Sequence, residues 1–429
     1  MSSIWQKTAK LPKFSSLSGN AKTDVLIIGG GIAGILTAYR LEQQGIEYML
    51  VEKNRILSGT TAGTTAKLTY QHGLIYDKLI KTCGMETAKG YYQANKEAFE
   101  ALKALAAAVD CDYEEKDNFI YTTNSPKKLE SELAAMEKIG CPARLVRNLP
   151  IPIYTEGGIS VPNQGQFNPI KLLGELAKGL NIYENTFVRE VKGRQAVTAN
   201  GIIRAEKIIV LTHFPFINTH GSYFLKLYQH RTYMIALENA QDVGGMYVDE
   251  DKSGLTWRNY GSYLIIGGCS HRTGKPSKGY APLESLARAK YPEAKIAAKW
   301  AAQDCISLDG MPYIGRYSQN TSGLYTAAGF NKWGMTGSML SAMMLSDMVL
   351  GVKNSRSRLF SPSRSILRPQ LFLNGMETAV SMLTPTAHRC PHLGCALKWN
   401  PYEHSWDCPC HGSRLKPDGK VLDNPANKK

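Results

Sequence analysis

The sequence predicts an α/β fold in two interleaved parts, a parallel sheet with flanking helices and an antiparallel sheet, followed by a small, shortened all-β module at the C-terminus. Three observations carry this reading. A continuous apolar run, Thr23-Asp24-Val25-Leu26-Ile27-Ile28, passes straight into a glycine string and then a helical pattern, as a buried parallel strand does. The middle of the chain holds several strand-like runs separated by turn residues. The tail carries two boxes rich in cysteine and histidine, Cys390-Pro391-His392-Leu393-Gly394-Cys395 and Cys408-Pro409-Cys410-His411-Gly412-Ser413.

The first element ends in Gly29-Gly30-Gly31-Ile32-Ala33-Gly34, followed by a helical pattern over 35–41, a second strand over 48–51, and Glu52. This is G-x-G-x-x-G between strand and helix, with an acid eighteen residues past the last glycine, the setting a dinucleotide site requires. Gly29 permits the tight turn, Gly31 lets the backbone approach a pyrophosphate, and Gly34 lets helix pack on strand. Ile32 and Ala33 open the helix, whose free N–H groups and positive dipole end face the phosphates. Glu52 is expected to hydrogen-bond a ribose diol. The next loop, 53–67, is rich in hydroxyls and suits backbone wrapping along an extended cofactor. Far downstream, Gly323 to Gly329 and then Phe330-Asn331-Lys332-Trp333-Gly334-Met335-Thr336 form a second strand–glycine–helix junction.

Between these segments, helices are predicted over 85–109 and 127–139, and antiparallel strands over 230–237, 244–248, 255–259 and 263–267. Arg231, Tyr233, Arg258, His271 and Arg272 lie on those strands, where an arginine can clamp a carboxylate bidentately. No catalytic residue is assigned from these patterns.

In the tail, two thiolates and two imidazoles on paired loops suit a binuclear iron–sulfur centre, one iron taking sulfur and the other nitrogen. Four Cys/His ligands also suit a tetrahedral zinc, and a remnant without metal is the third reading. Zinc gives no reason for the extra cysteines or for the flanking Leu393-Gly394 and Gly412-Ser413.

The boxes resemble those of the Rieske family. That resemblance implies Cys390 and Cys408 on one iron, His392 and His411 on the other, and a Cys395–Cys410 disulfide tying the loops. Imidazole ligation raises the potential to roughly −150 to +300 mV, against about −400 mV for all-cysteine plant-type clusters. Residues 20–351 resemble the FAD-dependent amine and amino-acid oxidase superfamily, with its glycine-oxidase-like fold. This second resemblance implies an FAD-binding Rossmann-like domain interleaved with an antiparallel-sheet substrate domain, and it makes Arg231, Tyr233, Arg258, His271 and Arg272 candidate substrate residues. It places Gly29, Gly31, Gly34 and Glu52 at the ADP half, Thr60, Thr61, Thr65 and Ala66 by the cofactor's middle, and Val188 by the adenine. Thr212 then closes on the pyrophosphate, and Gly329, Trp333, Gly334, Met335 and Thr336 sit at the flavin and ribityl chain. The whole chain resembles bacterial fusions of these two parts. Rieske domains place several strands under the cluster loops, however, and this sequence shows no strand series before Cys390 and no closing strand after His411.

The expected division is an N-terminal arm over 1–20, an oxidoreductase domain over 21–351, a linker over 352–384 that ends in a short helical stretch over 374–383, and an iron–sulfur module over 385–429. Cofactor segments fall at 21–84, 181–214 and 305–351, and substrate segments at 85–180 and 215–304. The formal charge is +15, from 51 basic and 36 acidic residues. The charges are scattered, which favours a solvated cationic face over nucleic-acid binding. No apolar run opens the chain and none reaches membrane-spanning length; the best, 339–350, is broken by Ser341, Ser346 and Asp347. A cytoplasmic location is expected, where a disulfide is unusual. The expected function is oxidation of a small amine or amino-acid-like substrate by FAD, with electrons relayed through a [2Fe-2S] cluster to an unidentified acceptor, or inward from a donor. The alternatives are a cluster-less oxidase using oxygen and a non-enzymatic redox or metal sensor.

Overall fold

In the computed structural model, residues 2–251 and 254–427 are described. The first sheet runs in the order Tyr313–Arg316, Leu324–Ala328, Ile202–Val210, Ala21–Ile28, Tyr48–Val51, Ile182–Tyr183, and all neighbours but the first pair are parallel. Helices Ile32–Gln43 and Gly334–Leu350, which pack on each other, cover one face, where Ile27, Leu36, Leu41, Leu340 and Leu345 are buried. The other face is buried in a second cluster, Leu26 and Ile28 packing with Phe214 and Tyr223. The glycines make this packing possible. A Cβ on Gly34 would sit 1.9 Å from the Gly29 carbonyl oxygen, and one on Gly29, whose φ is +116°, would sit 2.4 Å from that of Leu211.

The second sheet has the order Lys295–Ser307, Leu227–Glu238, Tyr263–Arg272, Thr256–Tyr260, Met246–Asp249, Glu114–Thr122, Gly157–Gln166, Lys67–Leu68. It is antiparallel except where Met246–Asp249 pairs with Glu114–Thr122. The predicted strands are all present, the last extended to Arg272. The predicted helices are found as Met85–Ala107 and Pro126–Lys138. The N-terminal arm is part of the fold: Trp5 is fully buried, donates to the Thr64 carbonyl at 2.7 Å and packs edge-on to Tyr260.

The tail corrects the expectation of no closing strand, and within 352–384 the helical stretch expected over 374–383 begins earlier, as helix Pro369–Leu383. The closing strand is present: Val421–Asp423 completes an antiparallel sheet with Lys398–Asn400, Ser405–Asp407 and Arg414–Leu415. These strands of two or three residues lack the length to be legible as a pattern. Among the described residues, no helix is long and apolar enough to cross a membrane.

Candidate cofactor cleft and Cys/His centre

A long cleft opens at the carboxyl ends of the parallel strands. It is lined by Gly29, Gly31, Ile32, Ala33, Glu52, Thr60, Thr61, Val188, Thr212, Gly334 and Met335, all expected from the sequence. Two helix N-termini meet it: Ile32–Gln43 behind Gly31, and Gly334–Leu350, neither of which has a side-chain cap. Such ends present free N–H groups to an anion. Glu52 accepts from the Gly30 amide at 2.8 Å and from the Asn54 amide at 2.9 Å. Burial raises its pKa despite these two donors. Thr61 accepts from the Ile32 amide at 3.1 Å, so the hydroxyl-rich loop is laced to the glycine turn.

Other expected residues support the cleft from behind. Gly34 serves packing. Thr65 and Ala66 offer their carbonyls to Arg258 at 2.9 Å each. A Cβ on Gly329 would meet Leu227 at 2.9 Å. Trp333 stacks on His72 with ring centroids 5.0 Å apart, and Thr336 donates to the Thr69 carbonyl at 2.6 Å. The structure adds lining residues that no motif announced: His213, Ser338, Gln303 and Asp304, together with Leu422, Asp423, Asn424 and Asn427 from the tail. Burial lowers the His213 pKa and raises that of Asp304. His213 Nε2 and Ser338 Oγ are buried in the cleft wall without a protein partner, as expected of atoms that meet a polar ligand. Glycine turn, acid, two helix ends and orphaned polar atoms together fit FAD.

The two boxes form facing loops. The Cys390 amide donates to the Cys395 carbonyl at 2.8 Å, and the Cys408 amide to that of Ser413 at 2.8 Å. The rings of His392 and His411 lie 4.9 Å apart. His392 Nδ1 and both ring nitrogens of His411 are buried without a partner, while His392 Nε2 meets Asn218 Oδ1 at 2.9 Å. Burial holds both imidazoles neutral, at about 3 for His392 and about 4 for His411. The Cys408 thiol pulls Cys390 down to about 7. The sulfurs of Cys395, Cys408 and Cys410 lie within 4.8 Å of one another. Orphaned imidazoles beside crowded thiols fit a mixed-ligand metal centre. Cys395 and Cys410, the implied disulfide pair, thus have their sulfurs within 4.8 Å of each other, beside Cys408.

The five substrate candidates go elsewhere; none is among the described residues lining the cleft. Arg231 pairs with Glu403, its Nε donating at 2.6 Å, and Arg272 donates to the carbonyls of Pro409 and Cys410 at 2.8 and 3.1 Å. Tyr233 stacks on His271 and packs edge-on to Tyr402. Arg258 is fully buried over Trp5. The C-terminal module covers the face where Arg231, Tyr233 and Arg272 emerge, while Arg258 is taken by Trp5 and the carbonyls of Thr65 and Ala66, so they hold protein instead.

Fold and site together define a flavin-dependent oxidoreductase with an iron–sulfur tail. The chain belongs to the FAD dependent oxidoreductase family, whose model matches residues 24–348, and carries a Rieske [2Fe-2S] domain matched over 377–429. It is 35% identical to a putative Rieske 2Fe-2S iron-sulfur protein of Bacillus subtilis, over 99% of this chain and 96% of that one. It is 21% identical to the gamma-glutamylputrescine oxidoreductase of Escherichia coli, over 80% of this chain and 87% of that one. Among solved structures, glycine oxidase from Geobacillus kaustophilus superposes with a TM-score of 0.68 at 20% identity, covering 81% of this chain and all of that one.

Proposed function

We propose that this oxidoreductase oxidises a small amine or amino-acid-like substrate at the FAD cleft and exchanges the electrons, one at a time, with the Cys/His centre of its own tail. FAD supplies two-electron hydride chemistry and can release single electrons, and a [2Fe-2S] cluster takes one at a time. Gly29, Gly31, Glu52, Thr60, Thr61 and Thr212 would hold the nucleotide and its pyrophosphate, with Gly334 and Met335 at the other end. Cys390, Cys408, His392 and His411 would hold the iron.

The segment Thr212-His213-Phe214 carries the proposal. Thr212 and His213 line the cleft, and the next ring, Phe214, lies 6.4 Å from His392 and 6.3 Å from His411 between centroids. Three consecutive residues thus bridge the two centres. The tail returns the contact, Asn424 Nδ2 donating to the Thr212 carbonyl at 2.9 Å. Anaerobic mixing of the holoprotein with a panel of small amines and amino acids, followed by absorbance, tests this. The expected result is flavin bleaching and then cluster reduction at a rate independent of protein concentration. Bleaching that never reaches the cluster, with peroxide formed once oxygen is admitted, overturns the relay.

A further inference from the structure

The helix Pro369–Leu383 is built inside out. Gln370, Asn374, Glu377 and Ser381 recur at helical spacing, which puts them on one side, and that side faces the protein. Gln370 donates to Asn374 at 3.1 Å, Asn374 accepts from Arg272 at 2.9 Å, Glu377 pairs with Lys275 at 2.6 Å, and Ser381 donates to the Ala396 carbonyl at 3.3 Å. Phe372, Leu373, Met376, Val380 and Leu383 fall on the opposite stripe and are 69, 57, 66, 63 and 83% exposed; Leu367, just before the helix, is 76% exposed. A surface helix ordinarily turns its apolar stripe inward. Here the polar stripe is satisfied inside, and a continuous apolar one is left to water, as at interaction sites.

Charge says what covers it. Glu377 is the helix's only charged residue, and it lies on the inner side. Arg389 donates to the carbonyls of Met382 and Thr384 at 2.9 Å each, so a cation stands at the C-terminal end of the stripe, while the Arg368 guanidinium at the N-cap turns inward to Cys83 Sγ at 3.8 Å. A second copy fits poorly, because its stripe offers no acid to meet Arg389 and each copy carries a net charge of +15. An anionic bilayer surface matches both features, taking the stripe into the acyl boundary and Arg389 among the headgroups. At fifteen residues the helix is about 22 Å long, short of the roughly 30 Å hydrocarbon core, and would lie in the plane of the surface. We propose that this helix docks the chain on an anionic lipid surface. Its inner side touches the Cys/His loops, the Ser381 carbonyl accepting from the Ala396 amide at 3.1 Å, so docking would carry the tail's centre to the interface.

Co-sedimentation of the holoprotein with phosphatidylcholine vesicles, with and without phosphatidylglycerol, tests this. The double variant Leu373→Glu/Met376→Glu changes only outward side chains and should keep its flavin and iron. The native chain is expected to bind the anionic vesicles, about tenfold more weakly without phosphatidylglycerol and progressively less as salt is raised. The variant is expected to lose binding by about tenfold or more. Absence of native binding, or a flavin- and iron-replete variant that binds like the native chain, overturns the proposal. So does a native dimer that the variant dissolves while neither form binds vesicles.

Discussion

The flavin cleft and the Cys/His tail are two binding regions of one chain held by different means. The cleft is made of backbone: five parallel strands, a glycine turn in which an added Cβ would lie 1.9 Å from a carbonyl oxygen, and two helix ends. The tail has strands of two or three residues and borrows its rigidity. Four consecutive carbonyls of its second box, Pro409, Cys410, His411 and Gly412, are taken by the flavoprotein sheet, the first two by Arg272 and the others by Gln229 and Gln303. Glu403, bridging Arg231 and Arg414, latches the same surfaces. The flavoprotein thus supplies the base that the short tail lacks, and two presumed substrate residues, Arg231 and Arg272, turn out to be its fasteners.

That contrast can be broken from either side. Gly34→Ala should have the largest effect, since helix and turn must separate: about 4 kcal/mol or more of stability and loss of bound flavin, read by thermal unfolding and absorbance. Arg231→Ala leaves Glu403 buried with one partner fewer. It should loosen the tail by about 3–5 kcal/mol, seen as faster proteolysis of the tail and iron loss at unchanged flavin content. Gln303→Ala frees the Gly412 carbonyl and should cost about 1–3 kcal/mol, detected as easier removal of iron by chelator. Asn424→Ala should act least, weakening FAD binding by about 1 kcal/mol in a fluorescence titration.

Acid should separate the regions in the same order. Burial pushes the Glu403 pKa up, but the Arg231 hydrogen bond and the charges of Arg231 and Arg414 prevail and hold it below the ordinary 4.5. Arg414 likewise holds Asp423 below 3.8 against its burial. Because these folded-state values are depressed, the latch contributes in full above pH 4.5 and is lost as pH falls through them. Tail proteolysis should therefore be flat from pH 7 to 5 and rise below about pH 4, while Arg231→Ala should be less sensitive to acid.

The front of the molecule was legible because its chemistry is local. Strand, glycines, helix and Glu52 follow one another, and each has a reason that does not depend on distant partners. Gly29, Gly31 and Glu52 were read in this way, whereas Thr61 and Gly334 came from the family resemblance. Arg231 and Arg272 were misjudged because an arginine on a strand looks the same whether it awaits a carboxylate or holds Glu403 and Pro409 more than a hundred residues away. Val421–Asp423 was missed because three residues carry no period. His213 and Asn424 had no signal beyond adjacency to Thr212 and closeness to the tail's end. Only the fold brings them to one wall.

The central claim is that the two centres communicate within one chain. Anaerobic photoreduction of the flavin, followed by rapid freezing and electron paramagnetic resonance, tests it most directly. A mixed-ligand [2Fe-2S] signal that grows as the reduced flavin reoxidises, at a rate unchanged by dilution and slowed in Arg231→Ala, is the predicted result. A flavin that stays reduced beside an oxidised cluster would contradict the account.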